Sequence, residues 1–427
     1  MFAQGRWSIV MAGAVALAVA MGIGRFAFTP LLPMMLADGA VDLPAASWLA
    51  SANYLGYLVG ALLCTFQPQI WARLGTLPPV DGQLVVRGGL VATAGLTLAM
   101  ALPWPAFWPL LRFAAGVTSA LVFVYTSGWC LATLARRGDA ALGGAIYTGP
   151  GAGIIVSGLF ASAMVAWHWH AASGWLIFGV LAFVLTAAVW RTIRSDPLVA
   201  VQHTPAMASG RGDGQRRAEL LCLAGAYGLA GFGYIITATF LPVIARAALP
   251  GSPWLDFFWP LFGLGVIAGA LIATRVRVAG DSRRTLAGCY AVQAAGIALS
   301  VWWPTLMGFA LGSLLLGLPF TAIIFFAMQE VRRLQPAAAA SAMGLLTALY
   351  GLGQIIGPPL ASELLRRRSQ AGPDFTLSLT IAAAALMIGA CIYLWMSRAF
   401  PWRIESYAAP SRQHPPDDGE GGQPLQS

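Results

Sequence analysis

Lysine is missing from this 427-residue sequence, and charged side chains of every kind are scarce. Charged residues make up 10% of the chain, whereas soluble globular proteins carry roughly 25%. Without lysine the chain cannot form the GxxxxGK[ST] loop that binds nucleotide phosphates, which excludes ATP drive in its usual form. The low charge and the hydrophobic content of 58% exclude an ordinary soluble domain and indicate a membrane protein.

Cysteine and histidine are also rare, with five and four residues. The cysteines all lie in apolar runs without paired spacing, so we predict neither a disulfide framework nor a metal site. The sequence shows no acidic cluster or histidine–carboxylate pair of the kind that a membrane-embedded enzyme would need. We therefore predict a protein that is not an enzyme and that has no cofactor.

Apolar runs of about 20 residues recur along the chain, and each is long enough to cross a bilayer as a helix. These runs are too long and too continuous for the strands of an outer-membrane barrel. We predict an all-α membrane protein with twelve transmembrane helices, at residues 8–36, 46–68, 84–103, 106–135, 140–165, 172–194, 219–245, 254–276, 284–303, 305–329, 339–364 and 375–398.

The 25 basic residues are all arginine, and their density alternates from loop to loop. With the N-terminus inside, 19 of them lie on the inner side and four on the outer side. The positive-inside rule then places both termini in the cytoplasm and residues 37–45 and 166–171 outside. Basic loops of this kind contact membrane lipid, and we predict no nucleic-acid binding.

The first five predicted helices are repeated as the seventh to the eleventh. An offset of 209 residues aligns GIGRFAFTPLLP (22–33) with GFGYIITATFLP (231–242), and LGYLVGALL with LGVIAGALI in the next helix. An offset of 201 aligns Gly116 with Gly317 further along. Because the first helix belongs to a repeated unit, we predict that it is not removed as a signal peptide.

The repeat divides the chain into two six-helix halves, residues 1–194 and 219–398. Residues 195–218 between them are polar and rich in glycine and arginine, which predicts a flexible cytoplasmic linker. Residues 399–427 have the composition of a disordered cytoplasmic tail.

Two parallel six-helix repeats with a long central loop resemble the architecture of the major facilitator superfamily. LLRFAAGVTSA (110–120) is similar to the fourth-helix motif of that superfamily, and GIGRFAFTPLLPMM, ANYLGYLVGA, GAGIIVSGL and GQIIGPPLA together resemble its YbfB/YjiJ-like branch. WARLGTLPP departs from the family pattern, because it lacks the usual Asp-Arg pair of the second loop. The resemblance implies a monomeric secondary active transporter in the bacterial inner membrane, moving a small organic solute by alternating access.

Arg25 lies in the middle of the first predicted helix, 13 residues from Asp38 and 19 from Arg6. At about 1.5 Å per residue it is roughly 20 Å or more from either polar end, and arginine keeps its charge. Such a charge needs a water-filled cavity or a permanent partner, and we predict no carboxylate at that depth. We predict that Arg25 binds an anionic group of the substrate; the alternative is a structural arginine held by carbonyl groups near Pro30 and Pro33.

Five further polar residues are candidates for substrate binding: Asn53, Tyr57, Arg112, Tyr234 and Gln354. Asn53 and Tyr57 lie one turn apart on one helix face, and Tyr234 is the repeat counterpart of the central arginine. For Asn53 and Tyr57 the alternative is a hydrogen bond between helices. For Arg112 the alternative is a side chain that reaches the outer interface.

The candidate proton carriers are the acids near helix ends, Asp256, Glu330 and Glu363. No carboxylate is predicted mid-membrane, where an exporter of cationic drugs would exchange a proton for its substrate. We therefore predict transport of an anionic or polar metabolite, and proton-coupled efflux of drugs or other metabolites is the alternative.

Overall fold

The computed structural model describes residues 5–74, 80–193, 213–252, 254–276, 281–335, 339–368 and 374–401. The α-helices in these segments are α1 Arg6–Leu17, α2 Phe28–Ala37, α3 Leu43–Leu74, α4 Gly82–Ala99, α5 Trp108–Arg136, α6 Thr148–Ala166, α7 Ala171–Val189, α8 Asp213–Ala248, α9 Phe258–Arg275, α10 Arg283–Trp302, α11 Leu306–Gly317, α12 Phe320–Leu334, α13 Ala339–Arg368 and α14 Thr376–Ala399. The first predicted span consists of α1 and α2, and the tenth consists of α11 and α12.

Eleven stretches of the described chain are long and apolar enough to cross a membrane. The remaining helix, α13, has 30 residues, but its glycines, its two prolines and Gln354 make it less apolar than the others. It packs along α3 and α8, so it completes a bundle of twelve spans. The predicted all-α fold is confirmed.

Helix α8 begins at Asp213, within the residues predicted as linker. Residues 213–218 are therefore helical, because a helix can continue past its apolar part through good helix formers such as glutamine, arginine and alanine. The rest of the predicted linker, residues 195–212, and almost all of the predicted tail, residues 402–427, lie outside the described residues.

Glycines bring helices into backbone contact at equivalent places in the two halves. A Cβ atom on Gly56 would lie 1.9 Å from a backbone oxygen of α5, and one on Gly116 would lie 2.0 Å from a backbone oxygen of α3. Their repeat counterparts Gly265 and Gly317 bring α9 similarly close to the segment around α11. Close packing of this kind is what small residues permit between membrane helices.

A buried ionic cluster joins the ends of α8, α10 and α12 on the side predicted to be cytoplasmic. The Arg283 guanidinium is fully buried, and its Nη1 donates to Glu219 at 2.8 Å and to a carbonyl of α14 at 3.0 Å. Arg333 pairs with both Glu219 and Glu330. Burial alone would raise the pKa of Asp281, but hydrogen bonds from Arg283 hold that pKa below its ordinary value. These contacts hold the ends of α8, α10, α12 and α14 together on one side of the bundle.

The orientation in the membrane can be tested by cysteine labelling. Trp167, in the turn between α6 and α7, is well exposed. In a background without native cysteines, we expect Trp167→Cys to react with a membrane-impermeant maleimide in intact cells. The matched control is Arg137→Cys, in the turn after α5, which should react only after permeabilisation. The opposite pattern would invert the predicted orientation.

Candidate functional site

The first span is interrupted where Arg25 lies. After α1 the chain forms a π-helical turn, Ala18–Ile23, before α2 begins at Phe28. Pro30 lacks the N–H that would otherwise bond the carbonyl of Phe26 in a continuous helix. Interruptions of this kind leave backbone carbonyls without their usual partners and occur frequently at functional sites.

Side chains of α5 bond three carbonyls of this interrupted segment. The Ser119 hydroxyl donates to the carbonyl of Ala20 at 2.6 Å. Arg112 donates from Nη1 to the carbonyl of Gly24 and from Nη2 to that of Arg25, both at 3.2 Å. The Arg112 side chain is only 2% exposed, so it does not reach the interface. Its two hydrogen bonds hold the backbone of Gly24 and Arg25 in place.

The Arg25 guanidinium is enclosed by aromatic rings and a single amide. Its Cζ lies 4.2 Å from the ring centre of Tyr57, 5.2 Å from that of Tyr54 and 5.4 Å from that of Phe26. Its Nη2 donates to the amide oxygen of Gln354 at 2.8 Å. Its Nε is buried and has no hydrogen-bond partner. Among the described residues, the guanidinium therefore has one uncharged hydrogen-bond acceptor, Gln354, and its Nε–H donor has no acceptor.

Neither Arg25 nor Arg112 forms an ion pair with any carboxylate that the structure describes. Both charges are permanent, and an unpaired charge inside a bundle is costly. Cation–π contacts offset only part of that cost, about 0.5–2 kcal/mol each. This interior is therefore electrostatically suited to an anion.

Gln354 connects the two halves at this point. Its Nε2 donates to the hydroxyl of Tyr234, while its oxygen accepts from Arg25. Tyr234 stacks on Tyr350 with ring centres 5.8 Å apart and meets Phe320 edge-on at 5.1 Å. The two residues related by the internal repeat, Arg25 and Tyr234, thus bond the same side chain.

Further hydrogen bonds join the halves beside the site, and Arg25 is only 4% exposed. The pairs are Thr29 Oγ1 to the carbonyl of Ala238 at 3.0 Å, Ser51 Oγ to the carbonyl of Ile355 at 2.8 Å, and Tyr54 Oη with Thr239 Oγ1 at 2.9 Å. This conformation closes the side of the site toward residues 37–45.

The structure brings four of the six predicted site residues together, namely Arg25, Tyr57, Tyr234 and Gln354. Arg112 bonds only the backbone beside them. The amide of Asn53 instead donates to the carbonyl of Arg112 at 2.9 Å, because the glycine contacts press α3 against α5. Asn53 therefore has the interhelical role that the sequence left open.

Sequence reasoning missed the rings of Tyr54, Phe26, Phe320 and Tyr350. Tyr54 lies three residues before Tyr57, so the helical spacing could have placed both on one face. Tyr350 likewise lies one turn before Gln354 on α13, and Phe26 directly follows Arg25. Phe320 comes from another helix, and no sequence pattern joins it to the site.

The candidate proton carriers all lie away from this site and in ion pairs. Asp256 pairs with Arg246, Glu330 belongs to the buried cluster, and Glu363 accepts from Arg366 and Arg367 at 2.8 and 2.7 Å. In the described part of the chain none of the three contacts Arg25.

Residues 17–394 match the family model described as "Uncharacterised MFS-type transporter YbfB". The chain is 27% identical over 370 residues to monocarboxylate transporter 11 of Mus musculus, covering 76% of each chain. It is 28% identical over 414 residues to a chloramphenicol resistance protein of Streptomyces lividans, covering 92% of this chain and 96% of the relative.

Among solved structures, the nucleoside transporter NupG is similar in fold. A point mutant of NupG superimposes with a TM-score of 0.68 at 15% identity, covering 92% of this chain and 99% of NupG. A second NupG structure gives a TM-score of 0.64 at 16% identity, covering 93% and 99%. The match over residues 17–394 and the twelve-helix bundle together show that this chain belongs to the YbfB-like family of major facilitator superfamily transporters.

Proposed function

We propose that the protein is a secondary active transporter of a small organic anion, which Arg25 binds between the two halves. The observation that supports this most is the buried Arg25 guanidinium, which has no described carboxylate partner and an uncommitted Nε. The likeness to a relative named as a monocarboxylate transporter agrees with an anionic substrate.

The proposed site has parts from both halves, as alternating access requires. Arg25 and Tyr57 come from the first half, and Tyr234 and Gln354 come from the second. The anion would bond the guanidinium fork, the tyrosine hydroxyls would bond its uncharged part, and Gln354 would line the site. Rocking of the halves would then expose the site to one side of the membrane at a time.

The test is to replace Arg25 after a screen of organic acids has identified a ligand by thermal shift, since a bound ligand stabilises the fold by mass action. Arg25→Lys keeps the charge but loses the planar fork, so we expect an affinity loss of about 1–3 kcal/mol, or roughly 5- to 150-fold. Arg25→Ala should lose at least as much.

The matched control is Arg87→Lys. Arg87 is half-buried and bonds the carbonyl of Trp190 far along α4 from the site, so this variant should bind and transport normally. If the ligands prove to be cations or neutral lipophiles, and Arg25→Ala folds and binds them normally, then the arginine is structural and the proposal is wrong.

Proton-coupled efflux is the second candidate, because one relative is named as a resistance protein. Comparing uptake by right-side-out and inverted vesicles under an imposed pH gradient would give the direction. With the three candidate acids outside the site, the proton would travel either through Asp256, Glu330 or Glu363 or on the substrate itself.

A further inference from the structure

We propose that Gln354 occupies the place on Arg25 that the carboxylate of the substrate takes and is displaced by it, so that the site selects an organic monoanion with an apolar or aromatic body. This inference rests on the proposed function. Gln354 is then an internal competitor of the substrate, and it is not one of the groups that bind the substrate's negative charge.

The hydrogen bonding of the Arg25 guanidinium is incomplete. Gln354 offers one neutral oxygen to Nη2, and the buried Nε has nothing to bond. A carboxylate offers two charged oxygens in the plane of the guanidinium and forms paired, charge-assisted hydrogen bonds, which are roughly twice as strong as neutral ones. A carboxylate would therefore displace the amide oxygen and complete the bonding of Arg25.

Within the described residues, the interior has a guanidinium fork for one carboxylate only. The other arginine, Arg112, uses both Nη groups on carbonyls of the chain, and its buried Nε, although unbonded, is a single donor without a free Nη beside it. The rings of Phe28 and Trp175 lie 4.9 and 6.0 Å from its Cζ. A second carboxylate of a dianion would thus be buried with no guanidinium fork to receive it, which is costly.

Aromatic rings pack next to Arg25 and Tyr234. Phe320 lies 6.1 Å from Phe26 and 5.1 Å from Tyr234, and Tyr350 stacks on Tyr234. Rings of this kind bind flat or apolar groups well. The hydroxyl of Tyr234 provides one polar contact.

Displacement of Gln354 also breaks a link between the halves. Gln354 can keep its bond to Tyr234, since both belong to the second half, while Arg25 in the first half changes partner. Substrate binding would thus replace a direct bond across the interface with bonds through the substrate.

The decisive variants are Gln354→Glu and Gln354→Met, measured by thermal shift on the purified full chain. The ligands are benzoate, phenylacetate, lactate and acetate, with benzamide as the neutral isostere and phthalate as the dianion. Gln354→Glu places a permanent carboxylate on Arg25, so we expect a higher Tm without ligand and no further shift with any acid. Gln354→Met keeps the length but removes the competing oxygen, so we expect the best acid to bind roughly 3- to 10-fold more tightly than to the wild type.

Weaker binding to Gln354→Met by about tenfold or more would make Gln354 a substrate ligand and overturn the inference, as would phthalate stabilising the protein as much as benzoate. If Gln354→Glu fails to fold, the Gln354→Met result decides. The two proposals fail differently: acid binding that survives Arg25→Ala, or no acid binding to the wild type, would overturn the proposed function itself. Loss of binding in Arg25→Ala with weaker binding in Gln354→Met would overturn only the inference.

Discussion

Replacing Arg112 with leucine should reduce ligand affinity by up to about 100-fold, although Arg112 does not touch the proposed ligand. Its two Nη groups hold the carbonyls of Gly24 and Arg25, and a displacement of about 1 Å in a binding group can cost about 100-fold. We expect the variant to fold, because it loses a buried charge together with those hydrogen bonds. Ligand titration by thermal shift measures the loss.

Hydrogen exchange separates this positioning role from direct binding. If Arg112 acts through the backbone, amides of residues 18–29 should exchange faster in Arg112→Leu without any ligand. Arg87→Leu is the matched control, since it removes a similar bond to the carbonyl of Trp190 on the bundle surface, and it should bind normally. Unchanged exchange at residues 18–29 with lost binding would instead make Arg112 a direct ligand of the anion.

Replacing Arg283 with methionine should lower the free energy of unfolding by up to about 3–5 kcal/mol, because the buried Glu219 and Glu330 would then share only one of the two arginines that pair with them, Arg333. Arg283 is fully buried and lies 2.8 Å from Glu219 and 3.6 Å from Glu330. Equilibrium unfolding in mixed micelles would measure the change.

The control for this prediction is an ion pair at the surface. Glu363→Gln weakens the exposed contacts with Arg366 and Arg367, and exposed pairs are worth about 0–1 kcal/mol. A loss below about 1 kcal/mol in Arg283→Met would mean that water or another cation compensates in the cluster.

The sequence predicted those features that depend on the membrane itself. The lengths of the apolar runs predicted the transmembrane spans, and the cost of burying a charge identified Arg25 as a candidate site residue. The repeat pointed to Tyr234, which meets Arg25 through Gln354. These inferences worked because hydrocarbon imposes the same requirement on every helix.

Features that depend on distances between helices could not be predicted. Whether Asn53 faces a cavity or a neighbour depends on how closely α3 approaches α5. The role of Arg112 depends on the carbonyls of Gly24 and Arg25, which follow the π-helical turn of residues 18–23, and no sequence pattern marks that turn. The alternative for Arg25 is a structural arginine held by carbonyl groups near Pro30 and Pro33. Carbonyl groups do bond an arginine in this region, but the arginine is Arg112 and the carbonyls are those of Gly24 and Arg25.

The ionic cluster of the second half has no counterpart in the first. At the repeat offsets, Glu219, Arg283, Glu330 and Arg333 correspond to Val10, Gly82, Trp129 and Ala132, whereas Gly56 and Gly116 correspond to glycines. The two repeats have therefore diverged at these polar positions and kept their glycines. Spacing between neighbouring helices has been retained in both copies, while their polar groups have diverged: the second half has the buried ionic cluster, and the first half has the interrupted segment that carries Arg25.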